Sequence, residues 1–330
     1  MISFLNKNSI IFGIIGVTYR CNARCYMCNI WKYPTKKSEE IDVKTLEKLP
    51  QIRVINVTGG EPFMRDDLDE IISVLKKKCK RLVISTNGFS SEKILKLVQR
   101  HPNIGIRISI EGLPKTNDTL RGIKDGFDKG LRTLIELRTM GIKDVGFGMT
   151  VTDKNAKDLL PLYHLAKLMK MEFATATVHN SYYFHKFDNK IENKELVIGE
   201  FKKLIKELLK SNRIKDWYRA YFNYGIINYI KGNKRLLPCE MAFNSFYLDP
   251  FGEVRPCNVM EETMGNLKEK SFEEIWYSPD AERIRRMVKR CNRNCWMIGS
   301  VGEIMKKYIH IPTKWVIEAK FLGRVDRLVN

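Results

Sequence analysis

Three cysteines, Cys21, Cys25 and Cys28, share one short stretch that reads Tyr19-Arg20-Cys21-Asn22-Ala23-Arg24-Cys25-Tyr26-Met27-Cys28. Three thiolates held so close can wrap one face of a cubane iron–sulfur cluster and leave its fourth iron without a protein ligand. The competing use is structural zinc. Such sites are closed by four Cys or His ligands, whereas the next cysteine is Cys79 and the first histidine is His101. Three ligands and a vacancy suit a site that binds something at the open position.

Downstream, Arg53-Val54-Ile55-Asn56-Val57-Thr58-Gly59-Gly60 runs apolar and β-branched into a glycine pair, as a buried strand ending in a tight turn does. Glycine pairs let the backbone approach a ligand closely, and Glu61 offers a carboxylate suited to an ammonium group. Together the C-x3-C-x2-C loop and the Gly59-Gly60-Glu61-Pro62 turn resemble the radical SAM superfamily. The resemblance implies that the three cysteines hold a 4Fe–4S cluster and that S-adenosylmethionine (SAM) occupies its open iron. It also implies that Gly59, Gly60 and Glu61 hold the methionyl amine of SAM.

The 330 residues suffice for one large domain or two with proper cores. The apolar run 9–17 lacks a small-residue cleavage site and leads straight into the cysteine loop, so it reads as a first strand rather than a signal peptide. Eight cysteines without a secretory signal argue for metal or catalytic use in the cytoplasm. Lys and Arg outnumber Asp and Glu by 58 to 38, a net charge of +20. That excess favours an anionic substrate, an acidic membrane or nucleic acid, or else marks a lysine-rich solvated surface.

Strand-like segments at 11–17, 53–58, 82–85, 104–110, 145–151 and 173–178 alternate with helical patterns at 43–49, 68–78, 92–100, 127–140 and 156–169. This alternation calls for a parallel sheet. With six such units legible, the expected fold is α/β, a partial (β/α)6 TIM-like barrel, and the resemblance implies the same. Ligands gather at the carboxyl ends of such strands, where both motifs fall. The expected domains are the barrel over 1–193, bridging helices over 194–235, a second cysteine module over 236–298 and a basic amphipathic tail over 299–330. Helices are predicted at 200–209 and 217–230. The tail either packs its apolar stripe on the barrel or makes peripheral contact with an anionic membrane.

The resemblance reaches further strand ends. It implies SAM contacts from Ser85 and Asn87, from Ser109 and Glu111, from the Met27 backbone, and from Arg121, whose planar guanidinium suits the SAM carboxylate. Asn155 stands near a recurrent family asparagine. Relatives more often carry Asp where Glu111 stands and an aromatic where Met27 stands. Apart from the resemblance, Ser, Asn and Gly at these positions satisfy ordinary turn chemistry.

In the second module, Cys239, Cys257, Cys291 and Cys295 accompany two short strands around a Pro250-Phe251-Gly252 turn, and Ser271 before Glu274 forms a capping-box pattern. The spacing C-x12-G-x4-C with a later cysteine pair resembles SPASM/twitch extensions of radical SAM enzymes. Four cysteines imply the twitch form, a β-hairpin plus helix closing one auxiliary 4Fe–4S cluster, with structural zinc as the alternative. Cys79 reads as structural, on a lysine-rich helix.

The implied function is reductive cleavage of SAM to a 5′-deoxyadenosyl radical that abstracts hydrogen from an unreactive C–H bond. The auxiliary cluster would handle a second electron, giving dehydrogenation or epimerisation by an oxidoreductase. The expected substrate is a small molecule, sugar or lipid precursor, anionic in view of the charge, with a ferredoxin or flavodoxin as electron donor. One alternative is a ribosomal-peptide maturase working with a separate recognition protein. Another is a non-catalytic iron–sulfur nucleic-acid-binding protein, against which stands the lack of any nucleic-acid-binding motif. His179 and Tyr182, after the sixth strand, are the candidate catalytic residues, an acid/base and a hydrogen donor or pocket wall.

Overall fold

The structure, a computed structural model, describes residues 10–329. Ser9, at the head of the first apolar run, and Asn330, at the end of the tail, lie outside the described residues. Six strands, β1 (Ile10–Gly16), β2 (Ile52–Thr58), β3 (Cys79–Thr86), β4 (Gly105–Ser109), β5 (Val145–Val151) and β6 (Glu172–Thr177), pair in parallel in that order. Between them run α1 (Val43–Leu46), α2 (Leu68–Lys77), α3 (Ser91–Arg100), α4 (Pro114–Arg121), α5 (Gly126–Thr139) and α6 (Leu159–Leu168). Alternate strand residues face the helices, so Ile55 and Val57 of β2 or Ile106 and Ile108 of β4 are fully buried beneath them. Their other faces line a lumen.

Two long helices follow, α7 (Lys194–Lys210) and α8 (Ile214–Ile230), packed on each other. Both begin before the sequence expectation, at Lys194 and Ile214. The Asn193 side chain caps α7 by accepting the Leu196 N–H. Next come β7 (Ser245–Leu248), β8 (Glu253–Arg255) and β9 (Gly265–Asn266), then α9 (Phe272–Trp276), capped by a Ser271/Glu274 box, and α10 (Pro279–Lys289). The second module is not a separate layer. β7 pairs in parallel with β1, so one open nine-stranded sheet runs β6-β5-β4-β3-β2-β1-β7-β8-β9.

The tail forms α11 (Ile298–Lys307), α12 (His310–Val316) and α13 (Val325–Val329). Part of its apolar surface packs on the body of the protein, where Trp315 stacks on Tyr224 of α8 at 5.2 Å and Trp315, Val316 and Ala319 are buried, while Ile309, Ile317, Phe321 and Leu322 stay exposed. Among the described residues no helix is long and apolar enough to cross a membrane. Cys79 opens β3 opposite Ile52, not a helix as its lysine-rich neighbourhood suggested, because the chain turns directly from α2 into the sheet.

Two ion networks sit where the strands begin. Asp144 takes both Arg81 and Arg107, and Glu172 takes Lys215 and Arg219. Burial alone would raise both carboxyls, but the neighbouring cations outweigh it and hold each at about 2. A carboxyl with a depressed folded pKa stabilises the fold above its unfolded pKa, and that stabilisation fades as pH falls through the folded one. Stability should therefore drop between about pH 4 and pH 2, measured by denaturant titration, and Asp144→Asn should flatten that drop.

Candidate active site

The cysteine loop follows β1 and is tied down on three sides. Gly60 N–H donates to Thr18 O at 2.7 Å and Glu61 N–H to Arg20 O at 2.8 Å. Tyr26 N–H donates to Leu120 O at 2.7 Å and Arg24 N–H to Arg121 O at 2.9 Å. Asn29 N–H donates to Phe184 O at 2.8 Å. Beneath the loop lies a network absent from the sequence expectation: buried Glu40 accepts from Arg20, Arg65, Thr18 and Thr35. Its residues carry no motif spacing, so only the fold brings them together.

Gly59 and Gly60 are glycine for a reason beyond ligand approach. A Cβ on Gly59 would lie 2.4 Å from Thr18 O, and one on Gly60 2.3 Å from Arg20 O. The turn presses its backbone against the cysteine loop. Glu61 departs from its expected role. Its carboxylate turns into the wall, where it accepts the Thr86 hydroxyl and the Asn87 N–H at 2.7 Å each, and it is 1% exposed. It joins the β2 and β3 turns instead of facing a ligand.

One cavity of about 1380 Å³ holds the remaining candidates. Cys21, Cys25, Cys28, Met27, Gly59, Gly60, Ser85, Asn87, Ser109, Glu111 and Arg121 all line it. Ser85 Oγ accepts from Asn56 at 3.0 Å, and the Asn87 amide reaches Asn22 of the cysteine loop at 2.7 Å. Arg121 pairs with Glu111 at 3.2 Å, while its Nε is buried with no hydrogen-bond partner. Glu111 is held by the Thr150 N–H at 2.6 Å, and Asn155 donates to its carbonyl at 2.7 Å. Asn155 thus shapes the Glu111 turn.

The four later cysteines, Cys239, Cys257, Cys291 and Cys295, line the same cavity from the loops after α8, β8 and α10. Burial pushes Cys21, Cys28 and Cys257 up to about 12 and Cys295 to about 11. Among the described residues no three His, Cys, Asp or Glu side chains gather as the ligands of one metal ion do.

His179 and Tyr182 do not reach the cavity. Burial drives the His179 imidazole down to about 4, with Nδ1 3.4 Å from Thr177 O and the ring against Phe184. The ring packs against Phe184 outside the cavity lining, not at the lumen rim where the sequence reading puts it. Tyr182 turns away beneath the Arg255 guanidinium, 4.7 Å from its ring. Its neighbour Tyr183 lines the cavity, and its hydroxyl donates to Gly59 O at 2.5 Å. The strap that carries Tyr183 spans the two cysteine sites: Phe184 O accepts from Asn29, while Tyr183 N–H donates to Asn258 O at 3.1 Å.

The open parallel barrel thus carries a three-cysteine loop at its mouth and a second thiol set beside its lumen. Residues 15–166 match the radical SAM superfamily and residues 239–296 match the iron-sulfur cluster-binding SPASM domain. The chain carries a radical SAM domain and an iron–sulfur cluster-binding SPASM domain. It is similar to the Fe-coproporphyrin III synthase of Methanosarcina barkeri, 32% identical over 47% of this chain and 41% of that one. It also resembles the antilisterial bacteriocin subtilosin biosynthesis protein AlbA of Bacillus subtilis, 27% identical over 84% of this chain and 62% of that one. The chain therefore spans less than two thirds of the length of either relative. Its fold matches Streptococcus suis SuiB with a TM-score of 0.66 at 16% identity, over 84% of this chain and 68% of that one.

A radical SAM domain with a SPASM domain implies SAM and two 4Fe–4S clusters, and the donor sets fit them. Both thiol sets line one cavity, and Arg121, whose Nε is buried without a hydrogen-bond partner, lines it as well. Replacing Cys239, Cys257, Cys291 and Cys295 together with Ala should remove about half of the iron of reconstituted protein, the share of one of two such clusters. Iron content at the wild-type level in that variant would overturn the assignment.

Proposed function

We propose that the chain is a radical SAM oxidoreductase acting on an unreactive C–H bond inside the barrel lumen. When bound, SAM and the two clusters supply a 5′-deoxyadenosyl radical for hydrogen abstraction and a site that exchanges one electron as the substrate radical resolves. The observation that supports this reading is that both thiol sets line one cavity, with the inner faces of the strands between them.

Cys21, Cys25 and Cys28 would hold the first cluster, and Cys239, Cys257, Cys291 and Cys295 the second. The free Nε of Arg121 would take the SAM carboxylate. Gly59, Gly60 and Met27 would offer backbone to the amine and adenine, with Ser85, Asn87, Ser109 and Glu111 flanking the remainder. Tyr183 would fix the Gly59 turn through its hydrogen bond. His179 serves as packing, and Tyr182 as the partner of Arg255.

The cavity of about 1380 Å³ would hold SAM and both clusters as well as the substrate. The relatives are named for bacteriocin biosynthesis and for making an iron coproporphyrin, which supports a peptide segment or a tetrapyrrole over a sugar or lipid precursor. A cytoplasmic ferredoxin or flavodoxin would provide the reducing electron. The test is anaerobic: reconstituted protein with reductant and SAM should release 5′-deoxyadenosine, and a bound substrate should accelerate that release. Trials with precursor peptides and with iron tetrapyrroles separate the two substrate classes. No 5′-deoxyadenosine from protein loaded with both clusters would overturn the proposal.

A further inference from the structure

Arg235 is a mostly buried cation with no carboxylate partner among the described residues. Its guanidinium makes four hydrogen bonds, all to neutral groups. Nε donates to Leu237 O at 2.8 Å, Nη1 to Cys295 O and to Ser300 Oγ at 3.2 Å, and Nη2 to Ser300 O at 2.5 Å. The plane lies 5.6 Å over the Trp296 ring, which is itself locked by its indole N–H on Phe222 O at 2.8 Å and by close packing on Gly225. Arg235 lines the cavity together with all four later cysteines. A desolvated charge is tolerated only when something of opposite sign stands near it. The four cysteines that line the cavity with it would supply that charge as the thiolates of a cluster, and an aromatic ring adds a smaller attraction.

Building on the cluster reading above, we infer that Arg235 is a positioning residue for the second cluster: its fixed positive charge raises that cluster's reduction potential, so that it readily accepts an electron. Three carbonyls on two segments, at Leu237, Cys295 and Ser300, hold the guanidinium in place, so its charge cannot swing away to solvent as an exposed lysine would. A cluster bound by four thiolates gains one unit of negative charge when reduced, and a nearby fixed cation favours that state. The electron would come from the substrate radical as it is oxidised, with its proton passing to solvent, and would leave to an external one-electron acceptor.

The test uses the full chain carrying Cys21→Ala, Cys25→Ala and Cys28→Ala, so that only the second cluster contributes a signal. A reductive titration followed by electron paramagnetic resonance reads the reduced-to-oxidised ratio at each applied potential. Arg235→Gln should lower that ratio at least tenfold at fixed potential, a downward shift of about 59 mV for one electron. Arg235→Lys, which keeps the charge, should stay within threefold of the parent. An unchanged midpoint in Arg235→Gln, or equal shifts in both variants, would overturn the inference. If Arg235→Gln fails to retain iron, Arg235→Lys decides. Retained iron with a parental midpoint supports the charge role, whereas loss of iron there too makes the residue a structural anchor and overturns it. Absence of any iron–sulfur signal with Arg235 intact would instead sink the cluster reading itself.

Discussion

Replacing Cys21, Cys25 and Cys28 together with Ala should abolish release of 5′-deoxyadenosine while leaving the fold intact. The expected iron content is about half that of the parent, the share of the second cluster. The loss of turnover should be complete to the detection limit, because reductive cleavage of SAM depends on the cluster and nothing in the protein replaces it. The fold should survive because the loop is anchored by backbone. Its ties run from Gly60 and Glu61 to Thr18 and Arg20, and from Arg24 and Tyr26 to Arg121 and Leu120. None of these uses a thiol. The measurement is iron content and 5′-deoxyadenosine yield side by side, with circular dichroism as the control on folding. Cleavage persisting in the triple variant would remove the cysteine loop from the mechanism altogether.

Much of the barrel was legible in the sequence because its strands are β-branched, bounded by glycine or polar turns, and separated by helices with a clear apolar face. The second and fifth strands fall within one residue of expectation at each end. What was not legible depends on distance along the chain. No pattern in Ser245–Leu248 announces that it will pair with β1, more than two hundred residues earlier. The Glu40–Arg65–Arg20 network under the cysteine loop is equally silent, since its members share no spacing.

The candidate site divides in the same way. Residues whose role depends on a backbone turn, such as Gly59 and Gly60, were found by sequence and sit at the cavity. Residues whose role depends on side-chain direction were harder. Glu61 follows β2 and Arg121 ends α4; the carboxylate of the first turns into the wall, while the second pairs with Glu111 and leaves its Nε buried without a partner. His179 and Tyr183 differ by four positions, and only the tyrosine reaches the cavity. A parity of direction along an irregular loop cannot be counted from sequence as it can along a strand.

Arg121→Met should do two separable kinds of damage. The first is to stability. Arg121 and Glu111 form an ion pair with side chains only 10% and 5% exposed, and removing one partner strands the other in the interior. Breaking a buried pair in this way costs about 3–5 kcal/mol. The second is to SAM binding. A charge-assisted hydrogen bond from the free Nε to the SAM carboxylate would contribute about 1.5–3 kcal/mol, so affinity should fall by roughly ten- to a hundredfold. The double variant Arg121→Met with Glu111→Gln distinguishes them, because it removes the stranded charge without restoring the guanidinium. It should recover most of the lost stability in a denaturant titration while SAM affinity stays low. Recovery of both together would show that Arg121 acts on SAM only by holding the fold. A single variant with parental affinity would show that its free nitrogen faces no carboxylate at all.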